Sequence, residues 1–309
     1  MSATLKNKEI VIGLLARDCK ESLLRNMPRV EAIGKAFGDW HVVIYENDSR
    51  DGTTEALQQW ARNNPHVIAI CETTHQDTIP KKTARSPFPA KSVYRIERMA
   101  RFRNRVLDEV KARFTPDIFC FIDIDVESFD PQNVIDAVEH APADWGAIFA
   151  SGHFLFRKSN GDVVRPHFQY DSYAFVPNNV DPMLTGDWII QHNFHNVTSW
   201  MFDQMVQRND YLSCNSAFNG IGFYQWEAIS DLRYGVTQTQ ELKKYNACFC
   251  EHVTFNYEIR ERGYKVYVAK KMEVTYYHKK YTLIRQLNHW LRSVKSRCLL
   301  ALGKTPYLV

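Results

Sequence analysis

Short apolar runs alternate with amphipathic stretches through the first third of the chain. Glu9–Leu15 is a short apolar strand, and Cys19–Phe37 carries Leu23, Leu24, Met27, Val30 and Ile33 at mixed three- and four-residue spacing, which predicts a helix. His41–Tyr45 predicts a second strand, Thr53–Asn63 a helix and Val67–Cys71 a third strand. Strand, helix, strand at this spacing means parallel pairing through right-handed crossovers, so the fold class is α/β. Thr73–Ser92 is polar, contains prolines and carries Lys81, Lys82, Arg85 and Lys91, as a long surface loop does. In the helix that follows, Tyr94–Leu107, the residues Ile96, Met99, Arg103 and Val106 share one face, so at least one guanidinium, that of Arg103, points toward the sheet.

The next apolar strand runs straight into two carboxylates, Asp123 and Asp125. Alternate residues of a strand share a face, so both emerge together at its carboxyl end, where open α/β sheets bind ligands. Hard oxygen ligands of this kind select Mg²⁺ or Mn²⁺, and such a cation holds a diphosphate. Taken alone, the pair also reads as a solvated strand end before a helix cap. At the end of the second strand, Tyr45–Thr53 gathers Glu46, Asn47, Asp48 and Asp51 ahead of Gly52, which permits the turn, and Thr53, which can cap the helix.

Composition narrows the classes. With 309 residues and 45% hydrophobic content the chain can bury a full core. A net charge of +4 is too mild to imply nucleic acid and suits an anionic small substrate. Seven scattered cysteines predict buried free thiols in a reducing, cytoplasmic compartment; Cys248 and Cys250 have no second pair at zinc-site spacing. The first residues lack a signal-peptide layout, and no apolar run is long enough to span a bilayer.

The Glu46–Thr53 turn, the Arg103-Asn104 pair on a helix and the Asp123-Ile124-Asp125 element, a DXD motif, occur in the order found in GT-A-fold glycosyltransferases. More narrowly, the Tyr45–Thr53 wording and the Arg95–Asn104 helix resemble the capsule-associated mannosyltransferases of glycosyltransferase family 69. The resemblance implies a mixed, mostly parallel Rossmann-like sheet flanked by helices. It places a catalytic domain over 1–278, with a nucleotide-sugar half at 1–130 and an acceptor half at 131–278. By the same resemblance Glu46 and Asp48 face the base or ribose, Arg103 meets the donor, Asp123 and Asp125 hold Mn²⁺ or Mg²⁺, and Gly220 lies beside the donor sugar. His278 follows a strand late in the chain, where the resemblance supplies a third metal ligand. The implied reaction moves a hexose, mannose among the candidates, from a nucleotide diphosphate sugar to a glycan or lipid-linked acceptor.

The second half is expected to build the acceptor side. His153–Phe156 and the aromatic Phe168–Phe175 read as strands, and Gly220 and Gly222 stand where backbone could approach a ligand closely. Glu251 opens a helix closed by Gly263 and is the candidate base for the acceptor hydroxyl, with Asp171, Asp187 and Asp203 as competitors. As a helix-opening acid it also serves the dipole. Lys265–Ala269 and Val274–Tyr277 predict two more strands. Residues 279–309 predict a basic amphipathic helix, with Leu283, Leu287, Trp290, Leu291 and Val294 at helical spacing, able to lie peripherally on the anionic inner face of a membrane or to pack on protein. Two other functions share parts of this pattern: a carbohydrate-binding protein without catalysis, and a sugar nucleotidyltransferase. The latter needs a Gly-rich basic loop after its first strand, and Leu14-Leu15-Ala16-Arg17-Asp18 offers none.

Overall fold

The computed structural model describes residues 5–77, 79–83, 86, 88–157, 161–164, 169–178, 180, 202, 206–278, 291, 294 and 298. Asp187, Asp203 and nearly all of the expected C-terminal helix lie outside the described residues. The strands are β1 (Glu9–Ala16), β2 (Asp39–Asn47), β3 (Val67–Glu72), β4 (Ile118–Asp123), β5 (Ser128–Phe129), β6 (Trp145–Arg157), β7 (Val163–Val164), β8 (Val176–Pro177), β9 (Tyr211–Ser216), β10 (Ile221–Gln225) and β11 (Lys265–His278). The helices are α1 (Lys20–Gly34), α2 (Thr53–Asn63), α3 (Val93–Arg113), α4 (Pro131–Glu139), α5 (Trp226–Ile229), α6 (Gln240–Lys244) and α7 (Glu251–Glu261).

One sheet runs through both halves in the order β3-β2-β1-β4-β10-β6-β11-β9-β8, with β5 on β11 and β7 on β6. β1 to β4 pair in parallel, β10 runs antiparallel between β4 and β6, and β6 pairs in parallel with β11. β1, β2, β3, β4, β6 and β11 therefore share one direction, which is the mixed, mostly parallel sheet expected. The chain passes from β1 outward through β2 and β3, then returns through α3 to place β4 on the other side of β1. That reversal opens a crevice at the carboxyl ends of β1 and β4.

Strand alternation sorts the core onto two faces. Ile10, Ile12 and Leu14 of β1 and Ile118, Cys120 and Ile122 of β4 pack with Leu23, Val30, Leu57, Trp60 and Val134 of α1, α2 and α4. Val11, Phe119 and Phe121 pack on the opposite face with Phe102, Val106 and Val110 of α3 and with Val253 and Phe255 of α7. Gly13 stands between these rings; a Cβ there would lie 2.8 Å from both Phe119 and Val106.

Three expectations change. The capping acceptor of α2 is Asp51, whose Oδ1 takes the Thr53 N–H at 3.0 Å; the Thr53 hydroxyl instead accepts from Cys19 N at 2.9 Å. Within the expected strand Phe168–Phe175, Gln169 forms an isolated bridge to His153 and a turn follows, because Asp171 adopts φ 59° and its carbonyl accepts from Ala174 N. The two late strands are one, β11, whose register against β6 shifts between Val268 and Glu273. Cys19, Cys120, Cys214, Cys248 and Cys250 are buried free thiols, while Cys71 and Cys298 are exposed. Among the described residues no helix is long and apolar enough to cross a membrane.

Candidate active site

A cavity of about 230 Å³ opens at the carboxyl ends of β1 and β4, lined among others by Arg17, Asn47, Arg95, Arg103, Asp123, Asp125, Asp171 and Glu251. Register places it: Leu15 of β1 pairs with Tyr45 of β2 and with Asp123 of β4, so the three strand ends stop at one level.

Asp123 is the last residue of β4, and its N–H donates to the Gly220 carbonyl at 2.8 Å. Its Oδ2 accepts from the hydroxyls of Tyr170 at 3.3 Å and Tyr276 at 3.1 Å, while Oδ1 lies 3.8 Å from Arg103 Nη2. Burial, reinforced by Asp125, pushes its pKa up to about 6 against the pull of Arg103 and the tyrosine hydroxyls. Asp125 sits in the turn beyond the strand, exposed at the mouth, and the surrounding protein raises its pKa also. Asn26 of α1, fully buried, donates to the carbonyls of Ile124 (3.0 Å) and Val126 (2.8 Å), gripping the backbone on both sides of Asp125. Nothing in the apolar spacing of α1 distinguishes Asn26, so sequence reasoning missed it.

Arg103 points inward as its helical face predicts. It is buried, its Nε 3.2 Å from Glu251 Oε1, and its guanidinium lies 4.8 Å from the Phe218 ring, 5.1 Å from Phe121 and 5.8 Å from Tyr234. Burial alone would lower its pKa; Glu251 and Asp123 more than offset this and hold it raised. Glu251 also accepts from the Cys250 thiol at 3.5 Å. His252 stacks on Phe218 at 4.0 Å, and burial, with Arg103 nearby, holds it neutral.

Glu46 and Asp48 do not line this cavity. Glu46 is buried and accepts from Ser49 N at 2.9 Å. Asp48, at φ 55°, accepts from Thr74 N (2.8 Å), His75 N (3.0 Å) and the Thr74 hydroxyl, tying the turn after β2 to the following loop. Slight burial works the other way, but these bonds hold its pKa well below the usual range. Alternation puts Tyr45 and Asn47 on the cavity side in their place. Gly220 and Gly222 make close approaches to protein: a Cβ at Gly220, φ 93°, would lie 2.6 Å from the Tyr276 hydroxyl, and one at Gly222 2.7 Å from Phe149. His278 ends β11 opposite Phe156; its side chain lies outside the described ones. Tyr170 and Tyr276 were not anticipated, although Tyr276 shares its strand parity with buried Val274.

Asp171 shares the cavity with Asp123 and Glu251. Burial first, then those two carboxylates, push its pKa up to about 8 against Arg103 and Arg95. A raised carboxyl binds its proton more tightly in the folded state, so the stability it confers is complete below the unfolded value of about 3.9 and is lost as pH rises through about 8. The melting temperature of the ligand-free protein should fall between pH 5 and about 8, Asp123 supplying the lower part of that window. Asp171→Asn should flatten the upper part; an unchanged pH profile in this variant would contradict the assignment.

The family model described as Cryptococcal mannosyltransferase 1 matches residues 9–254. A search of curated protein sequences gives no match. Solved structures similar to this chain include the mannosyltransferase PcManGT from Pyrobaculum calidifontis in complex with GDP-Man and Mn²⁺, at 12% identity and a TM-score of 0.47, with 98% of this chain and 72% of that chain covered. Another is TarS 1–349 of S. aureus, at 12% identity and a TM-score of 0.43, with 88% of this chain and 60% of that chain covered. The matched span takes in β1 through the first turn of α7, and with it Asp123, Asp125, Arg103 and Glu251. The chain belongs to the Cryptococcal mannosyltransferase 1 family and is a glycosyltransferase.

Proposed function

We propose that this enzyme transfers mannose from a nucleotide diphosphate mannose, with Mn²⁺ or Mg²⁺, to a hydroxyl of a glycan or lipid-linked saccharide. The observation that carries the reading is the pair Asp123 and Asp125 at one wall of a cavity lying at the switch point of the sheet, in a chain of a mannosyltransferase family.

The carboxylates suit a hard cation. Asp125 has no side-chain partner among the described residues; burial raises the Asp123 carboxyl and the protein around the cavity mouth raises that of Asp125, a cost that a bound cation relieves. No third His, Cys, Asp or Glu completes a metal cluster among the described residues. Two protein oxygens with the rest from phosphate and water is the pattern of Mg²⁺ on nucleotides. Bound there, the cation would offset charge developing on the departing nucleoside diphosphate. Arg17 and Arg95 line the same cavity and supply guanidinium groups for phosphate oxygens. Asn47 offers an amide to the nucleoside. On the acceptor side, Glu251 is committed to Arg103, so Asp171 is the carboxylate better placed to take the hydroxyl proton.

Thermal shift with GDP-, UDP-, CMP- and dTDP-linked sugars, with and without Mn²⁺, tests the reading. A ligand that binds only the folded state raises the melting temperature by mass action, about 2.7 kcal/mol at a hundredfold excess over Kd. GDP-mannose with Mn²⁺ is expected to give the largest shift. If no nucleotide sugar shifts the protein with metal, the donor-site assignment fails and glycan binding without catalysis becomes the better account.

A further inference from the structure

Asp123 is held by more hydrogen-bond donors than a metal-binding carboxylate requires, and they come from far apart in the chain. Tyr276 reaches it from β11 and Tyr170 from the turn after Gln169, and the two phenol rings stack with centroids 3.3 Å apart and planes at 15°. Both hydroxyls point at one oxygen, Oδ2, at 3.1 and 3.3 Å. Phe154 packs edge-on against Tyr170 at 5.4 Å, closing the outer side of the stack.

The backbone around the pair is pinned. Tyr170 N donates to the Gly152 carbonyl at 3.0 Å, Gln169 Nε2 to Asn219 Oδ1 at 2.9 Å, and Asn219 Nδ2 to the Ala150 carbonyl at 2.8 Å. Gly220 follows Asn219 and serves both groups: its carbonyl takes the Asp123 N–H at 2.8 Å, and its missing Cβ leaves the space that the Tyr276 hydroxyl occupies. Burial keeps both phenols protonated, hence donors.

From this geometry we infer that Tyr170 and Tyr276 are positioning residues: they fix the carboxylate plane of Asp123 by occupying Oδ2, and so present Oδ1 to the donor-side cation. The inference rests on the metal-dependent reading above. Two donors on one oxygen forbid the rotation that would let Asp123 turn its carboxylate fully onto Arg103. They also draw charge from Oδ2, leaving one directed ligand atom. Outer partners of this kind change metal affinity about 10–100-fold when removed.

The test is Mn²⁺ binding to the full chain without donor, by electron paramagnetic resonance, in wild type, Tyr170→Phe, Tyr276→Phe, the double variant and Asp125→Ala, with melting curves recorded in parallel. The double variant should bind Mn²⁺ about 10–100-fold more weakly than wild type while its metal-free melting curve stays cooperative. Gly220→Ala, which keeps both phenols but puts a methyl against the Tyr276 hydroxyl, should lose affinity in the same range. Unchanged Mn²⁺ affinity in the double variant, with Asp125→Ala losing the ion, overturns the tyrosine assignment alone. If wild type holds no Mn²⁺, or Asp125→Ala holds it as well as wild type does, the metal reading falls and this inference with it.

Discussion

Replacing Arg103 by alanine is expected to cost about 3–5 kcal/mol of folding stability and to abolish transfer. The guanidinium and the Glu251 carboxylate each have only 4% of their side-chain surface exposed, so neither has water to fall back on. Removing the cation leaves a buried carboxylate with the Cys250 thiol, at 3.5 Å, as its remaining hydrogen-bond donor among the described residues, and an uncompensated buried charge is among the most costly single defects. It also leaves Phe121, Phe218 and Tyr234 facing a void where a flat cation was packed. Asp123 loses the group that opposes its burial, so its carboxyl moves further toward the protonated form, which is a poor cation ligand. The double variant Arg103→Met with Glu251→Gln removes both charges, keeps volume, and should recover most of the lost stability. It should not recover activity, because Asp123 remains without its cation. Urea melts and initial transfer rates on the three proteins decide this; a stability loss under about 1 kcal/mol in Arg103→Ala would mean that the ion pair is not the keystone of the cavity floor.

How far the sequence disclosed this site depends on what each residue answers to. β1, β2, β3, α2 and the Asp123-Asp125 element were legible because each obeys a local rule: an apolar run, a helical stripe, a polar strand end. Arg103 was legible as a charge on an apolar helical face, and its inward direction follows from the 3.6-residue period. Which residues of the Tyr45–Asp48 run line the cavity was not legible, because a polar run does not disclose parity; the strand pairing and the cavity put Tyr45 and Asn47 on the inner side. Asp171 was expected on a strand and stands on a turn, since its left-handed φ 59° has no signature in aromatic composition. Asn26, Tyr170, Tyr276 and Gly220 act through partners about 50 to 150 positions away, which no window along the chain brings together.

Asp125→Asn should show the opposite balance, with activity lost and the fold untouched. The side chain is exposed and has no side-chain partner among the described residues, and the backbone that carries it is gripped by Asn26 through the carbonyls of Ile124 and Val126. Exposed substitutions of this kind stay within about ±0.5 kcal/mol, and here the sign favours stabilisation, because Asp125 raises the cost of charging Asp123. The amide keeps the shape but removes the charge that would hold a divalent ion on the diphosphate. Losing several kcal/mol of charge stabilisation at the leaving group corresponds to a rate about 100- to 1,000-fold lower. Excess Mn²⁺ should restore part of the rate, since Asp123 remains, and the rescue should weaken as pH falls and the Asp123 carboxyl takes up its proton. A variant that folds like wild type and transfers within a factor of about two of its rate would place the cation, and with it the diphosphate, somewhere other than this strand end.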